Sequence, residues 1–230
     1  MRPSLLLAST ALALSAALPS HAATVNWADW ETASVAAQGN ATGSFSTLGG
    51  LVGIQFAGQL AFAQLGTGTN FFSQGSPAPY TSALVDNAPT PAEMLALSQA
   101  GTRTLSFSAP VDNLFFAVVS LNGNGFRFDS DFEIVSFGQG YWGSGTLTRV
   151  DPGNGQFQLN GASGEPHGVI RFTGSVSSIT WQSLNNENWY GFTVGTYGLA
   201  PPPVPEPASL MLLLAGLACV GVAVRRRQPG

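Results

Sequence analysis

The stretch that decides the fold runs from Thr104 to Leu121 and reads TLSFSAPVDNLFFAVVSL. Residues 104–108 alternate between polar and apolar side chains, which is the period of a strand with one buried face. From Leu114 to Leu121 nearly every residue is apolar, so this part is predicted to be a central strand buried on both faces. Ala109 to Asn113 lies between the two parts, contains a proline and is predicted to be a turn.

Short apolar or alternating runs, bounded by Gly and Pro, recur on both sides of this stretch, and helical periodicity is scarce. Such a pattern is typical of an all-β protein, and it predicts an antiparallel β-sandwich over residues 23–200. The further predicted strand regions are Val25 to Val35, Leu51 to Phe62, Phe126 to Phe137, Leu147 to Val150, Gln156 to Leu159, Val169 to Phe172, Ser178 to Trp181 and Trp189 to Val194.

One segment departs from this pattern. Gly66 to Pro91 is rich in proline and poor in apolar periodicity, and we expect a long surface excursion there. A short helix is expected to follow, because Thr90 suits the capping position, Pro91 the first helical position and Glu93 the partner position of a capping box. Gly101 would end this helix.

The two ends of the chain have the composition of processing segments. Arg2 precedes an apolar run from Leu5 to Leu18, and small residues follow it, which is typical of a signal peptide over residues 1–22 with cleavage between Ala22 and Ala23. At the other end, prolines at 201–203 form a stiff spacer.

The C-terminal tail has three parts in a fixed order. Val204-Pro205-Glu206-Pro207 is followed by an apolar run at about 208–224 and then by Arg225-Arg226-Arg227. The purely apolar part of that run would span about 22 Å as a helix, which is short for a hydrocarbon core of about 30 Å. Arginines beside a membrane span stay on the cytoplasmic side, so the preceding domain would lie outside.

This order resembles the PEP-CTERM sorting signal of Gram-negative bacteria, here over residues 204–228. The resemblance implies that an exosortase, a membrane protease, recognises the tail after a transient stay in the inner membrane. The signal would be cut near Pro205–Pro207, and the domain would pass to the cell surface or the exopolysaccharide matrix. The alternative is a periplasmic protein that keeps its tail as a plain anchor.

Three stretches of the central domain carry a second, weaker resemblance: Phe107 to Val111, Gly168 to Gly174 and Asn188 to Gly195. They are similar to segments in the bodies of many PEP-CTERM proteins, and this likeness implies a jelly-roll or lectin-like β-sandwich.

Charge and cysteine content restrict the partners of this domain. The chain has no Lys; of its eight Arg, four lie outside the domain, whereas only Glu206 of the twelve acidic residues does, which leaves a net charge near −7. An acidic domain without basic patches is not expected to bind nucleic acid. The only cysteine, Cys219, lies in the tail, so packing rather than disulfides must stabilise the domain.

Polar clusters offer little catalytic chemistry. His167 is the only histidine after signal removal, and it follows Glu165, but no serine elbow or zinc-ligand set accompanies it, so we interpret it as a loop residue. Asp129, Asp131 and Glu133 are spaced by two and would share one face of a strand. They could bind Ca²⁺, but the pattern lacks the glycine of a calcium loop, and a solvated strand face is preferred.

Aromatic residues give the best candidate for ligand contact. Tyr141 and Trp142 lie in a Gly-rich connection, where their rings could form an exposed platform for a sugar, whereas Trp181 and Trp189 are expected in the core. The sequence thus predicts a non-enzymatic structural or adhesive protein of the exopolysaccharide or biofilm, with no catalytic residue, metal or cofactor. The alternative is a glycosidase or lyase on the same sandwich, but no carboxylate pair can be chosen from the sequence.

Overall fold

The computed structural model describes residues 22–197, which form thirteen strands and no helix. No membrane-spanning helix is therefore present in that range. The signal peptide up to residue 21, the proline spacer and the sorting signal lie outside the described residues. The strands are β1 Val25–Trp27, β2 Asp29–Ser34, β3 Gly39–Thr47, β4 Gly50–Gly58, β5 Phe62–Leu65, β6 Glu93–Leu97, β7 Gly101–Val119, β8 Gly125–Phe128, β9 Phe132–Gly138, β10 Thr146–Gly153, β11 Gln156–Ala162, β12 His167–Ser183 and β13 Tyr190–Tyr197.

The named strands pair antiparallel in one continuous sheet, ordered β10-β11-β8-β12-β7-β13-β6-β5 along its main path. The two longest strands, β7 and β12, pair along almost their full lengths, with register shifts between Phe172 and Ser178. The first half of β7 also pairs with β4, and its second half pairs with β13. The two long strands therefore belong to two sections of the sheet, and the bulges let the sheet bend between them.

The two sections face each other across the main core, as in a β-sandwich. Phe56 of β4 and Phe192 of β13 lie 5.6 Å apart between ring centroids, although their strands are not hydrogen-bonded neighbours. Trp30 of β2 meets the same Phe192 edge-on, and its indole Nε1 donates to Thr193 Oγ1 at 3.1 Å. The all-β antiparallel architecture is thus confirmed.

The second half of β7 is buried on both faces, as its sequence predicts. Leu114, Phe116 and Val118 point into the main core, whereas the alternate residues Phe115 and Ala117 point into a second core on the opposite face. A strand that faces two cores needs apolar residues at successive positions, which explains the unbroken apolar run.

Two expectations about local structure are wrong. Ala109 to Asn113 does not form a turn but lies within β7, where Asn113 takes a left-handed φ of 52°. The expected helix before Gly101 is β6, because all five of its residues are buried and it pairs with β5 and β13. The capping residues do not produce a helix here, because a strand in this position buries side chains on both of its faces.

The proline-rich excursion is also more than a surface loop. It places Phe72, Tyr80 and Val85 in the second core, where each is at most 2% exposed. The excursion therefore covers the outer face of β6 and β7. Its few large apolar residues are irregularly spaced. An irregular segment has no period, so the sequence pattern does not reveal which of its side chains are buried.

Candidate glycan-binding cleft

Four connections meet at one end of the sheet and enclose an open cleft of about 460 Å³. They are the connections β7–β8, β9–β10, β11–β12 and β12–β13. The lining residues are Ser120, Asn122, Trp142, Glu165, Glu187, Asn188 and Trp189. Loops at the end of a rigid sheet commonly carry binding residues, because the sheet fixes their positions.

Aromatic rings form one wall of this cleft. Trp142 stacks on Phe71, with ring centroids 5.2 Å apart and planes 29° apart, and it meets Trp189 edge-on at 4.8 Å. Phe71 covers one face of the Trp142 indole, which is nevertheless 45% exposed and lines the cleft. Such packing holds the indole in place without a ligand.

Tyr141 lies beside the cleft and does not line it. Its ring packs edge-on against Phe71 at 5.1 Å and against Trp142 at 4.9 Å, and the residue is 45% exposed. The two residues expected to form one platform thus differ in position: Trp142 faces the cleft, and Tyr141 extends the aromatic surface outside it.

Trp189 packs against the second core as a partly buried residue, and the strand expected to begin there begins one residue later. Trp189 is half-buried, precedes β13 and completes the aromatic wall, whereas Trp181 is buried in the main core as expected. The polar run Asn185-Asn186-Glu187-Asn188 directly before Trp189 could have indicated a loop rather than a strand at this position.

Glu165 also lines the cleft, and two neutral donors hold its carboxylate. The Ser120 hydroxyl donates to its Oε2, and Asn122 Nδ2 donates to its Oε1 at 2.9 Å. Ser120 has a left-handed φ of 55°, which is uncommon for serine. This backbone conformation directs a polar side chain from the end of β7 towards the carboxylate.

Glu187 is the second carboxylate of the cleft, and it has an unusual environment. Its pKa is raised to about 7, mainly by burial; the Asn124 side chain and the Asn122 backbone lower it in part, and the charge of Glu165 adds a smaller upward contribution. Its Oε2 is buried and has no hydrogen-bond partner. A carboxyl group near half ionisation at neutral pH, in a cleft, is a feature of functional sites.

No basic side chain balances these two carboxylates among the residues that line the cleft. The ion pairs in the described part of the chain lie elsewhere, between Arg149 and Asp131 and between Arg171 and Glu133. The cleft therefore combines two carboxylates with two indole rings.

The acidic triplet does not form the shared strand face that its spacing predicts. Asp129 and Asp131 lie in the bend between β8 and β9, and only Glu133 is in a strand. Asp129 accepts the Thr180 N–H at 3.0 Å, while Asp131 and Glu133 bind different arginines. Within residues 22–197 no group of three or more His, Cys, Asp or Glu could hold a metal ion.

His167 is not a loop residue, contrary to expectation. It begins β12 and is fully buried, with Nδ1 2.9 Å from the Tyr80 hydroxyl and no partner for Nε2. Burial lowers its pKa to about 4. Its ring lies against Gly140, where an added Cβ would be only 2.2 Å from the imidazole Cγ. His167 therefore supports the loop that carries Trp142.

Comparison with known proteins gives one finding, and it concerns the tail. The family model of the PEP-CTERM protein-sorting motif matches residues 203–227, which include Val204–Pro207 and the three terminal arginines. Comparison with curated proteins and with solved structures gave no match.

The fold and the tail together define an exported all-β protein with a C-terminal sorting signal. The chain carries a PEP-CTERM protein-sorting motif at residues 203–227, and this motif indicates export and processing by an exosortase.

Proposed function

We propose that this protein is a non-enzymatic, structural or adhesive component of the cell surface or extracellular matrix, and that it binds exopolysaccharide at the cleft. Its exosortase-dependent export is consistent with either destination. The observation that carries the binding proposal is the exposed indole of Trp142, fixed on Phe71 in the wall of an open cleft.

Sugar rings suit this wall for a physical reason. One face of a pyranose ring presents C–H groups, which pack on an aromatic face, while its hydroxyls need hydrogen-bond partners. Trp142 and Trp189 supply the aromatic surface, and Glu165, Asn122 and Asn188 supply polar groups in the same cleft. An aromatic wall facing convergent polar groups is the usual composition of a ligand site.

The test is affinity electrophoresis of the full-length chain, purified in a non-ionic detergent, through gels that contain polysaccharide from the native host's matrix. Trp142→Ala should weaken binding about tenfold, because a lost aromatic contact of about 1.4 kcal/mol corresponds to that factor. Phe137→Ala is the matched control, since Phe137 is 41% exposed and lies outside the cleft. Equal retardation of wild type and Trp142→Ala would refute the proposal.

One observation favours a second candidate, a glycoside hydrolase or lyase. Glu165 and Glu187 line the same cleft, and the raised pKa of Glu187 would suit a general acid. Incubation of the wild type with the bound polysaccharide, followed by chromatography of released oligosaccharides, decides between the two. Release that Glu187→Gln abolishes would establish the enzyme, and an unchanged polymer would exclude hydrolysis and elimination of that polysaccharide.

A further inference from the structure

We propose that the cleft selects glycans that carry a free amine, such as glucosamine units without their acetyl groups. This inference rests on the proposed glycan binding and names the class of sugar. It follows from three features of the cleft: two carboxylates without a balancing cation, a buried carboxylate oxygen without a partner, and an aromatic wall among the same lining residues.

The charge of the cleft comes from Glu165 and Glu187 alone. The ion pairs within residues 22–197 join other residues. No Arg or His nitrogen of that range therefore lies within 4 Å of either carboxylate. The donors that do reach Glu165, from Ser120 and Asn122, are neutral. They orient the carboxylate and leave its charge uncompensated.

Glu187 contributes an unpaired carboxylate oxygen to the cleft. Its buried Oε2 has no donor, and buried oxygens in proteins nearly always have one. At neutral pH the carboxyl group is partly protonated, which lowers the free energy needed to bury an unpaired charge. A cationic donor beside it would remove that cost and return the group to its ionised form.

The number and type of oxygen atoms in the cleft favour an ammonium group over a metal ion. The cleft offers two carboxylates rather than the six to eight oxygen ligands that Ca²⁺ takes, and no metal-binding group of three side chains occurs in the described range. An ammonium group has three N–H donors and no acceptor, which matches two acceptor carboxylates. On an amino sugar it is attached to a ring that can pack on Trp142.

The net charge of the domain acts in the same direction. A charge near −7, with no lysine, attracts cationic polymers and repels acidic ones at long range. This field is not specific to the cleft, so the test must separate the local contribution of Glu165 and Glu187 from the charge of the whole domain.

The experiment is isothermal titration calorimetry of the full-length chain in non-ionic detergent with two hexasaccharides of the same β-1,4 backbone. One consists of glucosamine and carries free amines, and the other is its fully N-acetylated form. We expect the wild type to bind the amine form at least tenfold more tightly. Equal affinity, or preference for the acetylated form, would overturn the inference, and this comparison needs no variant.

Three variants test whether the two carboxylates of the cleft cause the preference for the amine form. Glu165→Gln and Glu187→Gln keep the shape of the side chain and should each reduce the preference to within about threefold, while binding of the acetylated form remains. Glu31→Gln removes the same charge from β2, outside the cleft, and should leave the preference unchanged. If all three variants lower the preference equally, the charge of the whole domain causes it and the inference is wrong.

The outcomes also separate this inference from the proposed function. Binding of both hexasaccharides with equal affinity, lost in Trp142→Ala, would retain glycan binding at the cleft and reject amine selection. Binding of neither hexasaccharide would likewise reject amine selection, and the matrix-polysaccharide gels then decide glycan binding separately.

Discussion

Acidification should destabilise the domain through one side chain, His167, and the size of the effect can be worked out from the structure. The imidazole is fully buried beside Tyr80, and its pKa is about 4, compared with 6.5 for an unperturbed histidine. As the pH falls below 6.5 the unfolded chain takes up a proton at this residue, whereas the folded chain does not until about pH 4. Stability is therefore complete above pH 6.5 and is lost as the pH falls towards 4.

The magnitude follows from the difference between the two pKa values. A difference of about 2.5 (6.5 minus 4), at 1.36 kcal/mol for each pKa unit, corresponds to about 3 kcal/mol. Domains of this kind are stable by about 5–15 kcal/mol, so the loss is a substantial fraction of the total. Glu187 has the opposite effect on stability. Its raised pKa means that the folded state takes up a proton at a higher pH than the unfolded state, so this group stabilises the domain as the pH falls from 7 towards 4.5.

The assay compares the wild type with His167→Gln by urea unfolding, followed by tryptophan fluorescence, at pH values from about 7 down to 4. The variant loses the Tyr80 contact at every pH but has no titrating ring, so the difference between the two profiles isolates the imidazole and cancels Glu187. The wild type should lose about 3 kcal/mol more than the variant over this interval. Parallel profiles, or an NMR titration of the His167 ring near 6.5, would refute the reasoning.

Three further perturbations have expected outcomes. Gly140→Ala places a Cβ against the buried imidazole, so it should cost about 1–3 kcal/mol in thermal unfolding and weaken polysaccharide binding; an unchanged Tm would contradict the tight packing. Phe116→Ala removes a fully buried ring that stacks on another core ring at 4.9 Å, and should cost about 3–5 kcal/mol in urea unfolding, whereas Phe137→Ala on the surface should cost less than about 1 kcal/mol. Glu206→Ala should block exosortase cleavage, so that the intact mass of protein from the native host still includes Arg225–Arg227; release of a shortened chain would show that Glu206 is dispensable.

The apolar pattern predicted the main core well because strands have a fixed period. Leu114 to Val119 could be identified as a doubly buried strand, and the strand regions predicted at Leu147–Val150 and Gln156–Leu159 lie in the paired strands β10 and β11. Where a local signal competed with burial, the local signal failed. The capping residues before Met94 and Leu95 favour a helix by about 1 kcal/mol each, but burying an apolar side chain in the sheet contributes about 2 kcal/mol.

The candidate cleft was only partly predictable. Tyr141 and Trp142 could be selected because aromatic residues in a Gly-rich connection are unusual, but Trp189 and the two carboxylates could not. Glu165 and Glu187 lie on different connections and are separated in sequence by the whole of β12. The bend of β12 at its bulges, together with the pairing of its last residues with β8, brings these connections together.

The sequence by itself determined the all-β class, the acidic and cysteine-free character of the domain, and the sorting tail. Each of these depends on composition or on residues that are neighbours along the chain, so no folded contact is needed to recognise it. The tertiary structure decided that Glu93–Leu97 is a strand, that His167 is buried, and that Glu165 and Glu187 share a cleft with Trp142. Those features depend on contacts between residues far apart in sequence, where burial and strand pairing outweigh local preference.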